Sequence, residues 1–176
     1  MSIVYEEMPA GTPISVDIPD WVKLEIASCL ILFGRLEQCV IEIAWEMAGT
    51  TEIKERLMRA RQPATENFSE VVSVIEDAAG QKFDALHRTF DELAKDRNLF
   101  AHGSWLMAGV RPYVVWHKFI TDTDSVMGEF IEAHRFDHFK RRADKLLETC
   151  NQWSIMLTEQ TGRKGSILNR VAHREF

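Results

Sequence analysis

Proline, glycine and cysteine are all scarce in this chain of 176 residues, at five, nine and three. The few prolines and glycines sit mostly at turns, which favours helices over a β-sandwich. The three cysteines, Cys29, Cys39 and Cys150, fall at helix-patterned positions and form no closely spaced ligand pair. They read as reduced, structural thiols of a cytoplasmic protein. Long uncharged apolar runs are missing too. Within Leu24–Met47 the longest is Ile26–Gly34, too short to span a bilayer, so no membrane partner is expected. The stretch from Met1 to Ile18 has no basic start followed by an apolar core, so no export signal is read there. Repeats, low-complexity tracts, linkers and His, Cys, Asp or Glu at zinc spacing are absent. The expectation is one domain over residues 1–176, with no metal and no cofactor.

What is present is an ordinary globular composition, 45% hydrophobic and 27% charged. The net charge of −6 argues against a general nucleic-acid binder, but it is unevenly spread. Residues 1–133 carry 12 basic and 22 acidic side chains, whereas residues 134–176 carry 9 basic and 5 acidic ones. The basic part includes Lys140, Arg141 and Arg142 and a tail, residues 162–176, with Arg163, Lys164, Arg170 and Arg174. Such a stretch is a candidate RNA-backbone contact. The competing reading is a solvated helix face followed by a frayed tail.

Hydrophobic spacing predicts a mainly helical chain. After an extended N-terminal segment, residues 1–17, Asp17 or Asp20 can cap a helix running to about Ala48, with Gly49 at its end. Phe33, Leu36, Val40, Ile43 and Met47 step by three and four as its buried stripe, and Arg35, Gln38, Glu42 and Glu46 mark its wet side. The stretch Cys29–Phe33 is apolar nearly all round, which asks for cover on more than one face, from the chain itself or from a second copy. Further helices are expected at about Thr51–Arg61, Glu66–Ala79, Lys82–Ala101 and Phe136–Gln160. Between the last two the period changes. Ser104–Phe119, rich in Trp, Val and Tyr, reads as a short β-hairpin; residues 121–125 form a polar loop, and Val126–Ile131 returns as a strand. Long helices with short connections point to an antiparallel helical bundle with a short β-hairpin insertion.

One stretch carries chemistry. Asp96-Arg97-Asn98-Leu99-Phe100-Ala101-His102-Gly103 places an obligate cation, an amide and an imidazole that titrates near neutrality at the end of a helical stripe. Arg97-Asn98, three residues and then His102 resembles the signature of the HEPN superfamily, whose arginine, polar residue and histidine form the ribonuclease site of many toxin and defence proteins. The resemblance rests on these few residues, and a helical domain of this length agrees with it. It implies a metal-independent endoribonuclease giving a 2′,3′-cyclic phosphate, a site assembled at a homodimer interface, and a cognate antitoxin as a second partner. In that chemistry a neutral His102 takes the proton of a ribose 2′-hydroxyl, Arg97 neutralises charge developing on the phosphoryl oxygens, and Asn98 orients the imidazole or holds a phosphate oxygen.

Geometry bears on this directly. At about 100° per residue, Arg97 and His102 point about 140° apart on an ideal helix, whereas Asn98 and His102 share a face. Arginine and histidine of one chain converge only if the helix loosens at its end or the arginine curls round it; otherwise a partner supplies one of them. The same residues also suit a plain helix C-terminus. An imidazolium interacts well with the macrodipole there, Gly103 suits the C′ position, and Arg97 has Asp96 and Glu92 within reach. The rival function is therefore a non-catalytic HEPN-like module binding a protein or nucleotide partner, and a third is a helical scaffold. His134 and His138, at i and i+4, have metal-compatible spacing but lack the glutamate of a zinc-protease motif.

Overall fold

Pro19 ends an extended approach to the first helix, and its carbonyl accepts the N–H groups of Val22 at 3.0 Å and Lys23 at 3.3 Å. Helix α1 therefore spans Asp20–Met47. Asp20 enters its first turn instead of capping it from outside, and accepts a 3.1 Å ion pair from Lys23. The computed structural model describes residues 8–49, 52–120 and 123–161, with side chains except at 117–120, 123–126 and 158–161. The tail cations of residues 162–176 and the start of the N-terminal segment lie outside them.

Among the described residues the chain is mainly helical with a small antiparallel sheet. Before α1 comes β1 (Ile14–Ser15); after it come α2 (Ile53–Ala60), α3 (Ala64–Ala79), α4 (Asp84–His102), β2 (Ser104–Ala108), β3 (Arg111–Ile120), β4 (Thr123–Phe130) and α5 (Ala133–Thr161). The chain forms two compact units. One comprises Met1–Ile31 and Lys95–Lys140, the other Leu32–Ala94 and Arg141–Phe176.

The first unit holds the sheet, in the order β1-β2-β3-β4. The expected hairpin is β2 and β3, the expected returning strand is β4, and β1 is the strand the sequence reading lacked. β1 adds to β2 through Ile14↔Ala108 and Ser15↔Met107, and β4 pairs with β3 from Tyr113↔Phe130 to Ile120↔Thr123. Thr123, Asp124 and Ser125, expected in a polar loop, belong to β4, because backbone pairing does not require apolar side chains. Gly109, at φ 62°, supplies the left-handed residue of the β2–β3 turn, where Ala108 faces Arg111. Behind β2 and β3, Phe100 lies 5.2 Å from Phe136 and 5.5 Å from Phe139, centroid to centroid.

The second unit packs aromatic rings and the predicted stripes. Phe68 stacks on Phe90 at 4.1 Å, and Phe33 lies 5.6 Å from Phe90. Leu36, Val40, Ile43, Leu146 and Cys150 are buried, as their spacing anticipates. Glu42 is not on a wet side: it is buried, with Oε1 accepting from Gln38 Nε2 at 3.0 Å. Glu76, near the end of α3, reaches over the αL residue Gly80 to accept from Phe83 N–H at 2.6 Å and Lys82 Nζ at 2.7 Å. It thereby fixes the chain just before α4, and these bonds, with Lys82 leading, hold its carboxyl below the ordinary 4.5.

Candidate functional site

The motif occupies the last turn and a half of α4, in the first unit. Helical geometry persists to its end: Gly103 N–H donates to Leu99 O at 2.9 Å, the i→i−4 bond of an unbroken helix. The helix does not loosen between Arg97 and His102, so the angular separation read from the sequence stands. Asn98 and His102 are exposed on their shared face, and Arg97 is half-buried.

Why the helix stops there is a matter of close packing. A Cβ on Gly103 would stand 2.3 Å from Val114 Cγ2 and 2.6 Å from Leu99 O, so only glycine lets β3 approach the helix end. Trp105 Nε1 donates to Phe100 O at 3.2 Å, satisfying a further terminal carbonyl. The indole lies 6.2 Å from Phe136 and 6.0 Å from Phe100. His102 is therefore carried on a turn whose backbone is fixed from below while its imidazole faces solvent.

Beside the motif lies a group the sequence did not reveal. Arg135 donates to Asp96 Oδ1 at 2.6 Å and to Glu129 Oε2 at 2.6 Å, tying α4, α5 and β4 together. Burial alone would lower its proton affinity; the two carboxylates outweigh that and raise it. Asp96, one of the partners considered for Arg97, is committed to Arg135. No spacing signal was available, because Asp96 and Arg135 are 39 residues apart.

The three basic candidates on α5 behave differently. Lys140 bonds Glu25 at 2.7 Å and Asp137 at 3.1 Å, which raise its pKa. Arg142 is paired with Glu92. Arg141 is exposed. Lys140 belongs to the unit that holds the motif, and Arg141 and Arg142 to the other. His134 and His138 are exposed on α5. No group of three or more His, Cys, Asp or Glu among the described residues is placed to hold a metal. No described helix is long and apolar enough to cross a membrane.

All three cysteines are free and buried. Burial pushes the Cys29 thiol up to about 12. Cys39 Sγ donates to Asn151 Oδ1 at 3.6 Å, and a hydrogen bond with Cys39, together with burial, raises Cys150.

No family model, no curated protein and no solved structure matches the chain.

Proposed function

We propose that this chain is a HEPN-like helical-bundle protein of the cytoplasm, acting as a metal-independent endoribonuclease of the toxin or defence kind. The observation that carries the reading is the exposed pair Asn98 and His102 on a helix end held rigid by Gly103 and Trp105. A site for a large polyanion needs accessible donors on a preorganised support.

The roles follow from the chemistry. Neutral His102 accepts the 2′-hydroxyl proton as that oxygen attacks the adjacent phosphorus. Arg97 stabilises the phosphoryl oxygens, and Asn98 positions the imidazole or the phosphate. The bond from phosphorus to the 5′-oxygen breaks, and an imidazolium protonates the departing oxygen. The products are a 2′,3′-cyclic phosphate and a 5′-hydroxyl. Because one α4 separates Arg97 from His102 by about 140°, a homodimer is the natural source of the second half of the site. An uncovered stripe in the same unit supports self-association: Trp21, Leu24 and Ile31 share one side of α1, the last two 67% exposed. Cys29 is covered within the chain; Ile31 is not. The remaining partners in this reading are RNA, contacted also by Lys140, Arg141 and Arg142, and a cognate antitoxin protein.

A second reading, a non-catalytic HEPN-like module that binds a protein or nucleotide, draws on the ion pairs of Lys140 and Arg142, which leave less uncommitted charge for RNA.

The deciding experiment incubates purified chain with mixed-sequence RNA in excess chelator. The ribonuclease reading expects cleavage with cyclic phosphate ends, and its loss in His102→Ala. Cleavage that persists in His102→Ala, or that needs added magnesium or manganese, overturns it.

A further inference from the structure

Helix α2 faces the wrong way for a surface helix of a monomer. Its arginines engage the rest of the chain: half-buried Arg59 bonds Glu70 of α3 at 2.8 Å, and the exposed Arg56 has its guanidinium 5.4 Å from the centre of the Trp45 ring. Its aliphatic residues turn outward, with Ile53 76%, Leu57 54% and Met58 55% exposed, and no residue of the helix is buried. Ile53 and Leu57, four apart, form one ridge.

On the Arg59 side of α2, away from this ridge, lies an apolar pocket of about 150 Å3, lined by Ala44, Met47, Val71 and Val74 together with Arg59 and Glu70. An apolar cavity of roughly that size accepts a benzene-sized group, comparable to a leucine or methionine side chain.

The edges of ridge and pocket carry opposite charge. Lys54 and Arg61, seven residues apart, flank the α2 ridge on the side away from Arg56 and Arg59. On α3, Glu66, Glu70 and Asp77 fall within about 40° of one another and run beside Val74. Lys54, Arg61, Glu66 and Asp77 are exposed and make no ion pair among the described residues. Ridge, pocket, cationic edge and anionic edge all belong to the second unit.

We propose that a second copy of this chain docks here. The α2 ridge of each copy enters the Val71–Val74 pocket of the other, and Lys54 and Arg61 meet Glu66 and Asp77 across a two-fold axis. A surface that carries both a shape and its complement, and both signs of charge, is what an isologous contact requires. An anionic membrane would meet the acidic row of α3 as well as the cations of α2, and a basic peptide the reverse. The proposal does not rest on the ribonuclease reading, and it uses none of the motif residues.

The test measures solution mass by light scattering over a concentration series of the full chain. Leu57→Glu is expected to halve the mass at concentrations where the wild type holds it, with unchanged helicity and melting. The double variants Lys54→Glu/Arg61→Glu and Glu66→Lys/Asp77→Lys each lose the association alone, whereas their equimolar mixture recovers it, since every cross-contact then joins opposite charges. Unchanged mass in Leu57→Glu overturns the proposal, as does failure of the mixture to reassemble. A wild type that is monomeric throughout overturns it too. So does Leu57-dependent sedimentation with phosphatidylserine vesicles by a chain that does not self-associate, or assembly that appears only after residues 162–176 are removed. RNA cleavage separates this from the functional reading: Leu57→Glu keeps whatever cleavage the wild type has, and His102→Ala keeps the wild-type mass step.

Discussion

Val114 closes on Gly103 so tightly that a Cβ at position 103 would lie 2.3 Å from Val114 Cγ2. The carbonyl of Leu99, 2.6 Å from the same point, is backbone and cannot swing aside. Gly103→Ala should therefore lose about 2–3 kcal/mol of stability, the usual scale of overpacking against a fixed neighbour. Denaturant unfolding checks this. Stability within about 0.5 kcal/mol of wild type would mean that β3 does not approach the end of α4 as described.

Arg135 should matter for stability more than an exposed arginine does. Arg135→Ala leaves Asp96 and Glu129 facing each other without their cation, at a cost of about 2 kcal/mol, set below the buried-pair range because the site is partly exposed. Adding Asp96→Asn and Glu129→Gln should recover part of that loss. A triple variant no more stable than Arg135→Ala would show that charge compensation is not the arginine's role.

His102→Ala and Arg97→Ala test different things. His102 is exposed, so its removal should leave the melting temperature unchanged while lowering RNA cleavage by about 10²-fold or more. Mixing Arg97→Ala chains with His102→Ala chains should restore part of the activity if each half-site takes its arginine from one copy and its histidine from the other. Should both half-sites have to act together, the mixture stays inactive, and wild-type activity falls on dilution. Full specific activity from a chain that is monomeric at every concentration contradicts the two-copy site.

Glu76 should shape the acid limb of stability. Its folded pKa lies below the ordinary 4.5, so the stability it contributes is complete above that value and is lost as pH falls through the folded one. Lys82, raised by the same bond, acts in reverse: its share is complete below 10.5 and is lost as pH rises through its folded value. Glu76→Gln should lower the melting temperature at pH 7 and converge with wild type near pH 2. A constant difference between the two curves across that range would assign the effect to packing.

Much of the helical layout was legible because it depends on local spacing. The stripes of α1, α4 and α5 alternate correctly, and Gly80 marks the end of α3 as a left-handed residue. Glu42 was misread because a glutamate on a helix defaults to the wet side, and its i,i+4 neighbour Gln38, itself exposed, gives no sign that Glu42 is buried. The sheet was under-read for a similar reason. β1 is two residues long and finds its partner more than ninety residues later, at Met107 and Ala108. The motif residues were found from their type and order alone. Their support was not, since the contacts Gly103–Val114 and Arg135–Asp96 join chain segments with no shared period.

The buried thiols give the chain an internal reporter. Alkylating reagents attack accessible thiolates, and a thiol sealed from solvent reacts only when the structure around it opens. Cys29 lies in the unit with the sheet, Cys39 and Cys150 in the other. Pulsed alkylation followed by peptide mass spectrometry would thus time the opening of each unit separately, in the native chain and without introducing a label.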